Sequence, residues 1–457
     1  MKDKDLKDIE DAVLTHGLQC AAYTNTHTDA FEIFISGKRR TVIDISRNQV
    51  TSVDGMSFGI GIRVSINGKL GYASSSDLTH GAIKHMVQDA VKMARGLNFN
   101  DERFSGFAHA PATKGKDGII SMRILSLDEE DAVGIAKEIY ADSLSASGKV
   151  VTSDVNVTRE YGVYAVVNSE GVEEASRFAY ATAECYTTVS DGDERKTGSS
   201  FEVTRRSLKG EIGREAADRA LMYLGAEHLR ETRACPCILE NRTAGEFFFS
   251  VFYNSINGRA VVEERSPFAG RLGDDVAAGC LSVTDDGQMP DAVSTSCIDA
   301  EGVPMQEKKV IDRGVLKSFL FDTYFGNIFG SKSTGNAFRS GHAPHTRVPS
   351  ILPSTLVISK GNGSPEDLIS EVDYGIYISG DVMGLGHANF ITGDFSIVAL
   401  TPMLIRKGSI QKPLQPLTVA GNMYKSLRDI IRVGSDSRLG YKVSSPCVLI
   451  DGFTVSG

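Results

Sequence analysis

Thr243-Ala-Gly-Glu-Phe-Phe-Phe-Ser-Val-Phe-Tyr-Asn254 opens the stretch, running on to Asn336, that decides the fold of this chain. Ala244, Phe247, Phe248, Val251, Phe252 and Ser255 recur at the spacing of one helical face, which predicts a buried helix. The sequence then turns repeatedly, at Ser266-Pro-Phe-Ala-Gly270, Asp285-Asp-Gly287, Asp299-Ala-Glu-Gly-Val-Pro304, Gly314-Val-Leu-Lys317 and Ser333-Thr-Gly-Asn336. Gly and Asp at that density predict short strands doubling back on one another. A strand over 235 to 239 leads into the helix, and beyond Asn336 the pattern is poor in helix until 422 to 431. The C-terminal half therefore reads as a largely antiparallel β domain.

The chain has 457 residues, too many for one ordinary core, so an α+β protein of two domains is expected, 1–230 and 231–457. A 41% hydrophobic and 23% charged composition is that of a water-soluble protein. The N-terminus, Met1-Lys-Asp-Lys-Asp-Leu-Lys-Asp8, is charged where a signal peptide is apolar, and no run of about 18 apolar residues follows. A cytoplasmic location without membrane contact is expected. Seven cysteines, an odd number spread from Cys20 to Cys447, point to reduced thiols rather than a disulfide framework. Lys plus Arg number 49 against 58 Asp plus Glu, a net charge of −9 with no long basic stripe, which argues against a nucleic-acid partner.

In the N-terminal half, helices are predicted over 4–16, over 80–95 with Thr79 as cap, over a segment after a Ser126/Glu129 capping box, and over 211–224. Strands are predicted over 31–35, 40–45, 49–53, 149–158, 161–168 with a turn near Glu160, and 173–188. The clearest hairpin joins 59–66 to 70–73 across Asn67-Gly68, a dipeptide that accepts positive φ twice. The polar run 190–200 reads as an exposed loop.

Taken in order, a helix, SPFAG, DDG, DAEGVP, GVLKSFL and STGN, then Ile391-Thr-Gly-Asp-Phe-Ser396, Val419-Ala-Gly-Asn422 and the closing Asp451-Gly-Phe-Thr-Val-Ser-Gly457, resemble the C-terminal half of the TldD/PmbA family of metallopeptidase-type proteins. Strand, Asn-Gln-Val turn, GIGIRV, NGKLGYAS, SDL and helix likewise resemble its N-terminal domain. The family has carried the label of DNA gyrase modulator, which the charge balance does not support as direct nucleic-acid contact. In the TldD branch a HExxxH motif on the helix before SPFAG supplies two zinc ligands and a catalytic glutamate. The corresponding positions here are Phe249, Ser250 and Asn254, and no histidine lies between His228 and His342, so no register restores the motif. On a straight helix residues 249 and 254 stand about 140° apart, and only a distortion such as a π-bulge would bring them to one side. The family's third ligand is a cysteine in a Gly-rich stretch, whereas Cys447 sits in the strand-like Pro446-Cys-Val-Leu-Ile450 and reads as a buried structural thiol.

The resemblance is therefore to the PmbA branch, also called TldE. It implies a subunit without its own zinc or other cofactor, partnered with a TldD-like catalytic chain and acting on peptides or unfolded segments. A stand-alone homodimeric scaffold is the alternative, and a hydrolase with another site is a third. Glu246 reads as an exposed first-turn carboxylate favoured by the helix dipole, with a cleft-lining role left open. His342 and His345 could offer two imidazoles to a metal or serve structurally, and His387 lies in a Gly-rich loop of the sort that lines clefts. Cys235-Pro-Cys237 is too tight for a common zinc knuckle and reads as strand packing.

Overall fold

Six long strands build the first sheet in the computed structural model, which describes residues 2–110, 113 and 115–457, without the side chains of 2 and 3. In chain order they are β1 (Ala30–Ser46), β2 (Gln49–Ile66), β3 (Lys69–Ser75), β4 (Val150–Asn168), β5 (Glu173–Asp191) and β6 (Glu194–Thr204). Their order across the sheet is β3-β2-β1-β4-β5-β6, antiparallel throughout. Helices α1 (Lys2–Thr24), α2 (His80–Gly96), α3 (Met122–Ser126), α4 (Glu129–Ser145) and α5 (Ile212–Met222) accompany it, and their apolar residues share cores with the strands. Thr79 caps α2, and the β2–β3 turn has φ 50° at Asn67 and 74° at Gly68, as the sequence predicts.

Several local expectations fail because polar and glycine residues that suggest breaks have partners across the sheet, on a helix or in the other half. The segments predicted over 31–35 and 40–45 are one strand, because Gly37 and Gly162 allow a close approach of β1 to its neighbours. A Cβ on Gly37 would stand 2.5 Å from the Phe58 ring, and one on Gly162 would stand 2.3 Å from the Gly37 carbonyl. β2 likewise runs unbroken through the gap left between 53 and 59. Glu160 is mid-strand rather than at a turn, where it accepts hydrogen bonds from Lys38 and Tyr180, both at 3.1 Å. The 190–200 run is largely β6, its buried Ser199 and Ser200 bonded to Asp381 and Glu215 at 2.6 and 2.7 Å. α1 continues past Gly17, which lies against Ile35. The α4 capping box is Asp128 with Asp131, not Ser126 with Glu129.

In the C-terminal half, strand β7 (Thr232–Leu239) joins a seven-stranded sheet with Tyr374–Met383, Asp394–Arg406, Ser409–Pro413, Leu417–Asn422, Ile430–Val433 and Val448–Ser456. Tyr374–Met383 pairs with β7 on one side and Asp394–Arg406 on the other, so five of these strands close into a ring. A second sheet of six short strands runs from Val283–Asp286 to Val443–Ser445 and neighbours. Most pairs are antiparallel, with β7 to Tyr374–Met383 and Leu356–Ile358 to Val443–Ser445 the parallel ones. All six residues of the apolar helical face from Ala244 to Ser255 are buried. Phe247 meets the Phe395 ring at 5.3 Å and the Phe453 ring at 6.2 Å.

The turn motifs knit this half together. Asp285 of DDG accepts hydrogen bonds from the Ser354 amide at 2.6 Å and Asn336 Nδ2 at 2.8 Å, and pairs with Lys308 at 2.9 Å. Asp299 accepts from the amides of Glu301, Val303 and Ala337. The Ser266 hydroxyl donates to the Ser255 carbonyl and accepts from the Phe268 amide.

A chain of buried ion pairs joins the two halves. Arg63 on β2 reaches Glu32 at 2.7 Å and Glu301 at 2.8 Å, and Arg339 reaches Glu32 at 3.0 Å. Glu301 also accepts from the Thr323 amide at 2.8 Å, at the start of a helix (Thr323–Phe329) capped by Asp322. Burial, with the Glu301 charge beside it, pushes the Asp322 carboxyl up to about 7.

Two outcomes follow from these contacts. Phe248→Ala should lower stability by about 3–5 kcal/mol in chemical denaturation, since it empties a fully buried phenyl site. For Asp322, the folded state holds an extra proton between the unfolded carboxyl value of about 4 and about 7, so its contribution to stability falls as pH rises through that window. Asp322→Asn keeps a capping side chain. Its Tm relative to wild type should therefore climb from acid to mildly alkaline pH, and a pH-independent difference would contradict the assignment.

Candidate functional site

The helix over 241–256 is not straight. Asn241–Phe247 and Tyr253–Ile256 are α-helical, and between them Phe248–Phe252 form a π turn, the distortion required for positions 249 and 254 to approach one side. Phe247, Phe248, Val251 and Phe252 hold its inner face in the core, which leaves Glu246, Phe249 and Ser250 toward a cleft of about 340 Å³. Phe201 of β6 and the segment from Gly440 to Val443 form other walls of this largely apolar cleft, so both halves of the chain contribute. Phe249 stacks on Tyr253 with ring centres 5.7 Å apart. Asn254 lines a different cleft, with Asn257 and residues 388–391, and its Nδ2 lies 3.4 Å from the Ser250 carbonyl.

Charges around the first cleft are mostly tied to one another. Arg242 pairs with Asp381 at 2.7 Å and with Glu246 at 3.5 Å, and its guanidinium lies 4.5 Å from the Phe201 ring centre. Arg438 holds Glu215 at 2.9 Å and donates to the Phe201 carbonyl. Glu246 is not the exposed first-turn carboxylate expected: it lies at the end of Asn241–Phe247 and is half-buried, and burial raises its carboxyl above the ordinary range, against the opposing pull of Arg242. Burial also lowers the Lys442 ammonium to about 8, while it donates to the Pro353 carbonyl and sits 3.7 Å from the Phe338 ring centre. Such a cleft suits an apolar side chain with a polar backbone beside it.

Zinc does not fit the residues present. Phe249 offers a ring, Ser250 a hydroxyl and Asn254 an amide turned to another cleft, and among the described residues no three His, Cys, Asp or Glu side chains come together to hold a metal. The histidines are dispersed. His342 and His387 are exposed, whereas His345 is buried against β2, with its ring over Gly59 and Nε2 3.1 Å from the Ser76 hydroxyl. Cys447 is buried just ahead of Val448–Ser456, where its amide donates to Asp436. Cys235 and Cys237 are buried on β7, and all seven cysteines are free thiols.

Sequence reading placed Glu246, Phe249 and Ser250 but not Phe201, Arg438 or Tyr441. Phe201 follows a run taken for loop, and residues 438–443 carry no periodicity that would tie them to a helix some 200 residues earlier in the chain.

Comparison with known proteins agrees with this architecture. The PmbA/TldA metallopeptidase domain 1 matches residues 31–94, the central domain 123–224 and the C-terminal domain 232–457. An uncharacterized protein of Methanocaldococcus jannaschii is 26% identical over 90% of this chain and 92% of its own length. The metalloprotease PmbA of Escherichia coli O157:H7 is 25% identical over 99% of this chain and 96% of its own. The crystal structure of TldE from Thermococcus kodakarensis superimposes with a TM-score of 0.85 at 21% identity, covering 95% of this chain and 98% of that one, and so shares the fold.

Introducing Phe249→His, Ser250→Glu and Asn254→His together should yield no zinc-dependent peptide cleavage by this chain alone. The side chains at 249 and 254 line different clefts, and among the described residues no three His, Cys, Asp or Glu side chains come together to hold a metal. Measurable cleavage abolished by a chelator would contradict this.

Proposed function

The chain belongs to the PmbA/TldD metallopeptidase family, and we propose that it serves there as a subunit without a catalytic centre of its own, holding a peptide or unfolded segment for a zinc-bearing TldD-like partner. The observation that carries this reading is the bulged helix. It keeps the backbone distortion that would let positions 249 and 254 share a side, yet it presents Phe249 and Ser250 to an apolar cleft.

A peptide suits that cleft because an extended backbone can bond to nearby main-chain groups while one apolar side chain fills the space between Phe201, Phe249 and Tyr441. The net charge of −9 disfavours a phosphate backbone as the ligand. No helix among the described residues is long and apolar enough to cross a membrane.

Coexpression with a TldD-like chain bearing an intact HExxxH should yield a copurifying complex that cleaves unfolded peptides, while this chain alone does not. Ser250→Trp, which fills the cleft, should leave the complex intact and lower its kcat/KM by about tenfold or more, the scale of about 1.4 kcal/mol of lost binding. Failure to copurify, or full activity with the cleft filled, would overturn the reading.

A further inference from the structure

Two side-chain atoms on residues that line the cleft between the halves have no partner. The Arg242 side chain is 9% exposed, and its Nε and Nη2 donate to Glu246 and Asp381, but its Nη1 is shut from solvent with no acceptor. On the residue before it, Asn241 gives its Nδ2 to the Asp436 carboxylate at 2.9 Å, which fixes the orientation of the amide because a carboxylate only accepts. Its Oδ1 is left buried with no donor.

Buried polar atoms are normally paired, and leaving one unpaired costs stability. An orphan donor and an orphan acceptor on consecutive residues therefore call for a ligand that supplies both partners. The surroundings narrow its chemistry. Among the described residues, three cations line the cleft, Arg242, Arg438 and Lys442, against one acid, Glu246. Asp381 and Glu215 balance the two arginines, whereas the Lys442 ammonium donates to the Pro353 carbonyl. Burial already raises the Glu246 carboxyl, so Glu246 tolerates a second carboxylate nearby by keeping its proton. Phe201, Phe249 and Tyr441 supply apolar walls, and a volume of about 340 Å³ is at the small end for a ligand site, suited to one residue rather than a length of chain.

We propose that the cleft captures the C-terminal residue of a peptide, with the α-carboxylate on Arg242 Nη1, the N–H of that residue on Asn241 Oδ1 and its apolar side chain among Phe201, Phe249 and Tyr441. An anion, an N–H and an apolar group within one residue are what a chain end offers. An internal residue presents a neutral carbonyl in place of the anion, and a guanidinium bonds a carboxylate about twice as strongly as a neutral acceptor. This inference rests on the peptide-holding role proposed above and names the part of the peptide that is held.

Binding to the chain alone tests it, by fluorescence anisotropy of an N-terminally labelled Gly-Ser pentapeptide ending in leucine. The free acid should bind about tenfold or more tightly than the same peptide amidated at its C-terminus. A methyl group on the leucine nitrogen, or glutamate in place of the leucine, should weaken binding by a similar factor. Arg242→Lys keeps a cation for Asp381 but loses the planar fork, and should cut the advantage of acid over amide to about threefold or less. The peptide series needs no variant to fold. Equal binding of acid and amide, an N-methyl peptide that binds unchanged, or no binding by the wild-type chain would each overturn the proposal. A coexpressed complex that cleaves amidated and free-acid peptides alike, and stops when the cleft is filled, would leave the peptide-holding role standing while this inference fails.

Discussion

The Glu32–Arg63–Glu301 chain, with Arg339 closing on Glu32, is the constraint on which the rest of the structure depends. Burial by itself would lower the Arg63 pKa, but the two carboxylates outweigh it and hold the guanidinium charged. Each carboxylate in turn needs that cation, since an unpaired buried charge costs several kcal/mol. Glu32 lies on β1, Arg63 on β2, Glu301 in the DAEGVP turn and Arg339 beyond STGN, so one network fixes the first sheet against the turns of the C-terminal half. Phe34 under Arg339 and Phe107 under Arg63, at 4.8 and 5.3 Å, screen the charges from water.

That fixation makes the cleft possible. Its walls come from β6 and from the bulged helix and the 440–443 segment, elements that meet only because the halves are locked together. A second set of ion pairs, Arg438 with Glu215 and Arg219 with both Glu215 and Glu240, holds the junction closer to the cleft. The Gly- and Asp-rich motifs that carry the family resemblance turn out to be framework. Asp285, Asp299 and Ser266 spend their hydrogen-bonding capacity on main-chain amides and on one another's neighbours. In this chain those motifs serve architecture, and the helix ahead of them presents Phe249 and Ser250 to the cleft.

What the sequence by itself determined was whatever rests on local periodicity and on side-chain chemistry. The buried face from Ala244 to Ser255, the Asn67-Gly68 hairpin, the Thr79 cap and the absence of a histidine pair on the helix could all be read residue by residue, because 3.6-residue spacing, positive φ and ligand chemistry are properties of short segments. The sequence also showed that positions 249 and 254 required a helix distortion to share a side. Only the tertiary structure decided that the distortion exists, that Asn254 nonetheless opens on a second cleft, and that His345 packs over Gly59 rather than lining a cleft. It likewise decided that Gly37, Glu160 and the 190–200 run continue strands, since their partners, Phe58, Tyr180, Asp381 and Glu215, lie across the sheet, in the other half or on α5. Those contacts join residues 15 to more than 180 positions apart, and no local pattern encodes a hydrogen bond whose acceptor arrives from so far along the chain.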